Sequence, residues 1–144
     1  MKIYILLALS VLLTGCVSTK KLTQESRFGG ELGQKQLTHS AVICTVENDA
    51  LFERNLPSLK LYKDNLSGSC PTGKFVNVLS DGSFIEFNKV SRTNLFALFY
   101  TEHWFLEGSV VLNSNTVKFY YYWGIGDCCE NTPPSWEWEP KFWQ

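Results

Sequence analysis

Histidine is scarce in this sequence: His39 and His103 are the only two among 144 residues. Schemes that need several imidazoles at one site are thereby excluded. Charge of one sign is missing too, with 13 basic side chains against 14 acidic ones and a net charge of -1. No basic field is available to neutralise phosphates, which sets nucleic acid aside as a partner. No apolar run reaches the roughly 20 residues a spanning helix needs. The run at 3–13 is about half that length. Beyond it there is no helix-length amphipathic segment, and no serine sits in a nucleophile-elbow pattern.

What is present begins at the N-terminus. Lys2 gives a positive start, residues 3–13 are apolar except for Ser10, and Thr14 and Gly15 are small. Polar residues follow at 18–21. This order describes a secretory leader. Leu13-Thr14-Gly15-Cys16 resembles the lipobox of bacterial lipoproteins, an aliphatic residue and two small ones before a cysteine. The resemblance implies cleavage before Cys16 and acyl chains on that cysteine, and two or more chains anchor a protein stably. Val17, where an aspartate would imply inner-membrane retention, implies the outer membrane of a Gram-negative source, with the domain facing the periplasm. The expected organisation is a signal peptide at 1–15, a lipidated cysteine and flexible tether at 16–39, and a β domain at 40–144. Removing residues 1–15 from the 144 leaves 129, with 12 basic and 14 acidic side chains, so a net charge of -2. That length suits one domain.

Once Cys16 carries lipid, Cys44, Cys70, Cys128 and Cys129 remain, and the compartment is oxidising. Four cysteines permit three connectivities. A bond between adjacent Cys128 and Cys129 would close a tight ring. The expectation is that each reaches Cys44 or Cys70, stapling the C-terminal segment onto the early strands. Each link would contribute about 2–4 kcal/mol.

Residues 17–38 are polar and dotted with glycine, without a sustained period, and read as tether; the alternative is a short helix at 22–27. From residue 40, short runs rich in β-branched and aromatic residues alternate with turn residues. They lie at 41–46, 58–63, 74–80, 83–90, 94–101, 103–112 and 117–123. Asp81-Gly82 is a preferred two-residue hairpin turn, and "NSNT" at 113–116 is a second turn. About seven strands at near-regular spacing predict an all-β fold, a small antiparallel β-barrel or sandwich stapled by disulfides. The arm at 124–144 carries Pro133, Pro134 and Pro140, which exclude a central strand or helix interior. It also carries Trp136, Trp138, Phe142 and Trp143. The arm either packs over the barrel or displays Trp136, Trp138 and Trp143 as a recognition surface, with Trp104 a fourth candidate.

Several motifs approach a chemistry and stop short. "GSCPTGKF" at 68–75 is one residue from a phosphate-binding loop, but Phe75 replaces the metal-binding hydroxyl and a strand follows instead of a helix. Glu102 and His103 are neighbours on a strand and point to opposite faces, which spoils them as a catalytic pair. Adjacent Cys128 and Cys129 suit one tetrahedral metal poorly. Glu86, Glu102 and Glu107 read as solvated strand residues. No cofactor and no metal are expected.

"GKFVNVLSDGSFIEFNKV" at 73–90 resembles a strand–turn–strand unit of bacterial SH3-like domains through Leu79, Gly82, Ile85 and Phe87. "FYTEHWFLEGSVVL" at 99–112 is similar to a late strand pair of the lipoprotein lysozyme inhibitors, small β-barrels whose serine-rich inhibitory loop has no counterpart here. The functional expectation is a non-enzymatic binding domain with an envelope protein as partner, in an inhibitor, immunity or assembly role. The alternative is a peptidoglycan- or glycan-binding SH3-like module; an envelope hydrolase ranks last.

Overall fold

The computed structural model describes residues 17–21, 30–46, 55–96, 100–126, 136–137 and 141–144. The fold is all-β. Its strands are β1 (Val17–Lys21), β2 (Gly33–Gln36), β3 (Ala41–Thr45), β4 (Leu59–Lys63), β5 (Lys74–Leu79), β6 (Phe84–Phe96), β7 (Tyr100–Leu112), β8 (Asn115–Gly126) and β9 (Trp136–Glu137). Seven of them form one hydrogen-bonded path, β1-β6-β7-β8-β4-β3-β5, with β2 paired to β6 and β9 to β8. Every pairing is antiparallel except that of β4 with β8, which makes the sheet mixed.

The long strands β6, β7 and β8 form its centre. Alternation along them sends Ile85, Phe87, Trp104, Leu106, Phe119, Tyr121 and Trp123 to one face. There they join Ala41, Ile43, Leu61 and Leu79 from β3, β4 and β5 in a single core. One core gathered from β3 to β8 means that the sheet curls around its own inner face. On the outer face Phe105 and Tyr120 form a smaller cluster with Leu56, whose segment crosses over the strands.

The turns account for the topology. Asn113 and Ser114 have φ of 48° and 65°, the two positive values of a type I′ turn, and they close the β7–β8 hairpin. At Asp81-Gly82 only Gly82 is positive, at 82°, and Ser83 N–H donates to Ser80 C=O. That is a type II pattern, which splays its flanking strands. The expected hairpin is therefore corrected: β5 pairs with β3, and the turn carries the chain across to β6. Leu37 bonds to both Gly82 and Ser83 and fixes that crossing.

Other expectations are corrected as well. Val17–Lys21 pairs with β6, and Gly33–Gln36 pairs further along the same strand, so both are sheet rather than tether. Leu37 is a core residue. The runs at 83–90 and 94–101 are not separate strands, since β6 continues through 91–93 to Phe96 and β7 starts at Tyr100. Ser91, Arg92 and Thr93 interrupt the apolar pattern yet are buried. The proposed helix at 22–27 lies outside the described residues.

The end of the chain closes the core. Gln36 and Gln144 exchange backbone hydrogen bonds, and Thr38 N–H donates to Phe142 C=O at 2.8 Å. Phe142 and Trp143 are thereby inserted against Tyr121, with ring centroids 5.7 and 4.9 Å away. Trp143 also packs on Phe87 at 5.0 Å.

Candidate binding surface

The cysteines organise the outer face near β5. Cys44 bonds to Cys70, 26 residues later. The expected links from either one to Cys128 or Cys129 are corrected. Cys44 opposes Phe75 in the β3–β5 ladder, on the outer face, where the 64–73 loop returns. Cys128 and Cys129 lie outside the described residues, as does Cys16.

Short-range bonds shape that loop. Asp64 Oδ1 accepts N–H bonds from Leu66 at 3.3 Å and Gly68 at 2.7 Å, and the Tyr62 and Thr72 hydroxyls meet at 2.9 Å. Gly73 ends the loop with φ of 79°, so close to β3 that a Cβ there would fall 1.6 Å from Thr45 C=O. Only glycine fits that approach. The tempting "GSCPTGKF" is this disulfide-pinned loop running into β5.

Beside the loop stands the most apolar exposed surface among the described residues. Six large apolar side chains among the described residues are exposed, and four of them lie between 66 and 78: Leu66 (52 %), Phe75 (54 %), Val76 (39 %) and Val78 (37 %). A bulge gathers them. The β3–β5 register shifts between Ile43 and Cys44, leaving Val76 as the extra residue. Phe75 and Val78 thus oppose Cys44 and Val42 on the same outer face, although they are three apart in sequence. A Cβ on Gly68 would sit 3.3 Å from Val78 Cγ2, so the loop bearing Leu66 abuts this face. β5 ends the strand path, and Asn77 Oδ1 accepts the Val78 N–H at 2.8 Å. A bulge and a side-chain cap both discourage pairing by another strand. The surface therefore offers side chains rather than a backbone edge.

The polar outer face lies further along β6–β8. A cleft of about 270 Å³ is lined by residues that include Asn88, Lys89, Glu107, Ser109, Thr116 and Lys118. Asn88 is the extra residue of a bulge against β7. Glu107 accepts from Ser91 on one oxygen and pairs with Lys89 on the other. Towards the covered end, His103 Nδ1 and Tyr122 OH share a 2.7 Å hydrogen bond. Lys60 Nζ lies 5.2, 5.5 and 5.4 Å from the ring centroids of Tyr62, Tyr120 and Tyr122, in cation–π reach of all three. On the opposite, inner face Arg92 pairs with Glu102 at 3.3 Å, with its guanidinium 5.6 Å from the Trp104 ring. Glu102 and Glu107 thus stand on opposite faces of β7, each tied to its own cation.

The tryptophans expected to bind are placed differently. Trp104 is fully buried against Trp123, and Trp143 is 6 % exposed in the core. Both are corrected from recognition to packing. Trp136 is in β9 opposite Ile125, and Trp138 lies outside the described residues. Phe75, Val76 and Val78 were missed because a run apolar on both faces reads as a buried strand. The available signal was Phe75-Val76 side by side, which no one-sided edge strand can bury.

Comparison with known proteins gives no match. No family model, no curated protein and no solved structure is similar to the chain. Among the described residues no group of three histidine, cysteine or acidic side chains could hold a metal ion.

Proposed function

We propose that the chain is a cell-envelope lipoprotein, anchored through lipid on Cys16 in the outer membrane, whose β domain binds a protein partner from the periplasmic side without catalysis. The role is that of an inhibitor, immunity or envelope accessory protein. The observation that supports protein binding is the Leu66, Phe75, Val76 and Val78 surface, held rigid by the Cys44–Cys70 bond and the β5 bulge. Contiguous exposed apolar surface on a small domain marks an interaction site. A glycan-binding reading keeps the polar cleft at Asn88 but loses Trp104 and Trp143 as stacking platforms.

The test is a Phe75→Ser/Val78→Ser double variant. Both side chains are partly exposed strand residues, so stability should change by about 1 kcal/mol per site, which leaves the domain folded. In-cell crosslinking should capture one envelope protein with the parent chain and lose it with the variant. Capture that persists in the variant, or retention only on purified peptidoglycan, refutes protein binding through this surface.

A further inference from the structure

Two exposed apolar side chains stand apart from the β5 surface: Phe84 (57 %) and Val111 (68 %). The strand registers bring them together. Ile85 and Phe87 face the core, so Phe84 and Glu86 are on the outer face of β6. Glu86 opposes Ser109, and the same register two residues further sets Phe84 against Val111. Val111 in turn opposes Thr116, and Ser109 opposes Lys118. Ser109, Thr116 and Lys118 all line the cleft on this face. Phe84 and Val111 are therefore its apolar border, at the end nearest the Asn113-Ser114 turn.

At the other end Pro57 forms a wall, held over the sheet because Leu56 packs on Phe105 and Tyr120. Between these ends the groups are polar and their charges cancel. Glu86, Lys89, Glu107 and Lys118 are two acids and two bases, and Lys89 is already paired with Glu107. An anion or a cation therefore gains little here. Asn88, raised by its bulge, offers an amide that both donates and accepts, and Ser109 and Thr116 add hydroxyls that do the same. β7 is paired on both sides at Glu107 and Ser109, so the backbone of the floor is already bonded and recognition falls to side chains.

The geometry points to a binding site for a neutral sugar ring, with Phe84 as the stacking platform and Asn88, Ser109 and Thr116 as its hydroxyl partners. A sugar presents an apolar C–H face and a rim of hydroxyls, which is the complement of an exposed aromatic ring beside uncharged donors and acceptors. The cleft, about 270 Å³, is at the small end of ligand clefts, which run from about 300 to 1,000 Å³, and suits a single ring of a glycan. This site goes beyond the protein-binding reading and does not depend on it, since β8, β4 and β3 separate β7 from β5.

The experiment titrates the purified full chain with cellotriose and with chitotriose, its N-acetylated counterpart, following the amide NMR signals of Ser109 and Thr116. Inorganic phosphate and trialanine are titrated in parallel. Saturable shifts with either sugar support the site and tell whether it takes an acetamido group. Phe84→Ser should weaken sugar binding by about tenfold and Asn88→Ala by about fivefold, the factors that an aromatic contact and a neutral hydrogen bond are worth. Binding should persist in about 1 M salt, where exposed charges are screened. Absence of shifts with both sugars, or equal binding by the parent and both variants, overturns the proposal. So does saturation by phosphate or trialanine without either sugar, which would make the cleft an anion or peptide site.

Discussion

Breaking the Cys44–Cys70 bond should destabilise the domain by an amount set by the loop it closes. The two residues are 26 apart. The chain-entropy relation for a loop of that size gives about 12 cal/mol/K, or roughly 3.5 kcal/mol at 25 °C. For a domain near this length that is a fall of about 10–15 °C in Tm. Cys44 is fully buried and Cys70 is not, so Cys44→Ala should cost slightly more than Cys70→Ala. The bond is lost with either substitution, so the double variant should cost no more than Cys44→Ala alone. Urea unfolding of the parent, both single variants and the double variant checks this as a thermodynamic cycle. If the double variant instead loses the sum of the two singles, the cysteines act independently. Cys44 and Cys70 would then not be bonded to each other, and the geometry of the 64–73 loop would be misassigned.

The remaining predictions concern the core. Trp143→Ala removes a ring packed on Phe87, Tyr121 and Phe142 and should cost about 3–5 kcal/mol in chemical denaturation; a loss under about 1 kcal/mol would mean that the end of the chain does not close the core. Arg92→Met takes away the cation that pairs with buried Glu102 and should cost about 3–5 kcal/mol, while Arg92→Met with Glu102→Met should recover much of that loss. Equal melting of the single and double variants would show that the pair is not coupled.

The parts of this fold legible in the sequence are those where side-chain chemistry decides locally. Valine, isoleucine and aromatic runs marked β3, β4, β5 and most of β8, and Asn113-Ser114 marked a hairpin turn that two positive φ values require. The illegible parts depend on partners distant in sequence. Ser91 and Arg92 look like a strand break, and Glu102 reads as a solvated strand residue. Ser91 and Arg92 lie inside β6 because Glu107 and Glu102 receive them across the sheet, and Glu102 is buried beside Arg92. Val17–Lys21 and Gly33–Gln36 have no strand pattern of their own and are ordered by the flank of β6. Trp143 was free to be a surface until Gln36 and Thr38 supplied backbone partners to its neighbours Gln144 and Phe142. Of the candidate site, the disulfide cysteines were visible but not their pairing, and the β5 surface was hidden by a bulge that no sequence pattern announces.

The bridge between Leu37 and Trp143 has a consequence in time. It joins residues 106 apart in sequence (143 minus 37), and contacts so distant form slowly because the intervening chain must first be gathered. Until Trp143 emerges, the inner faces of β6, β7 and β8 lack their lid. A ribosome-bound chain therefore shows this apolar surface, open to aggregation or to a holding chaperone, until residue 143 arrives.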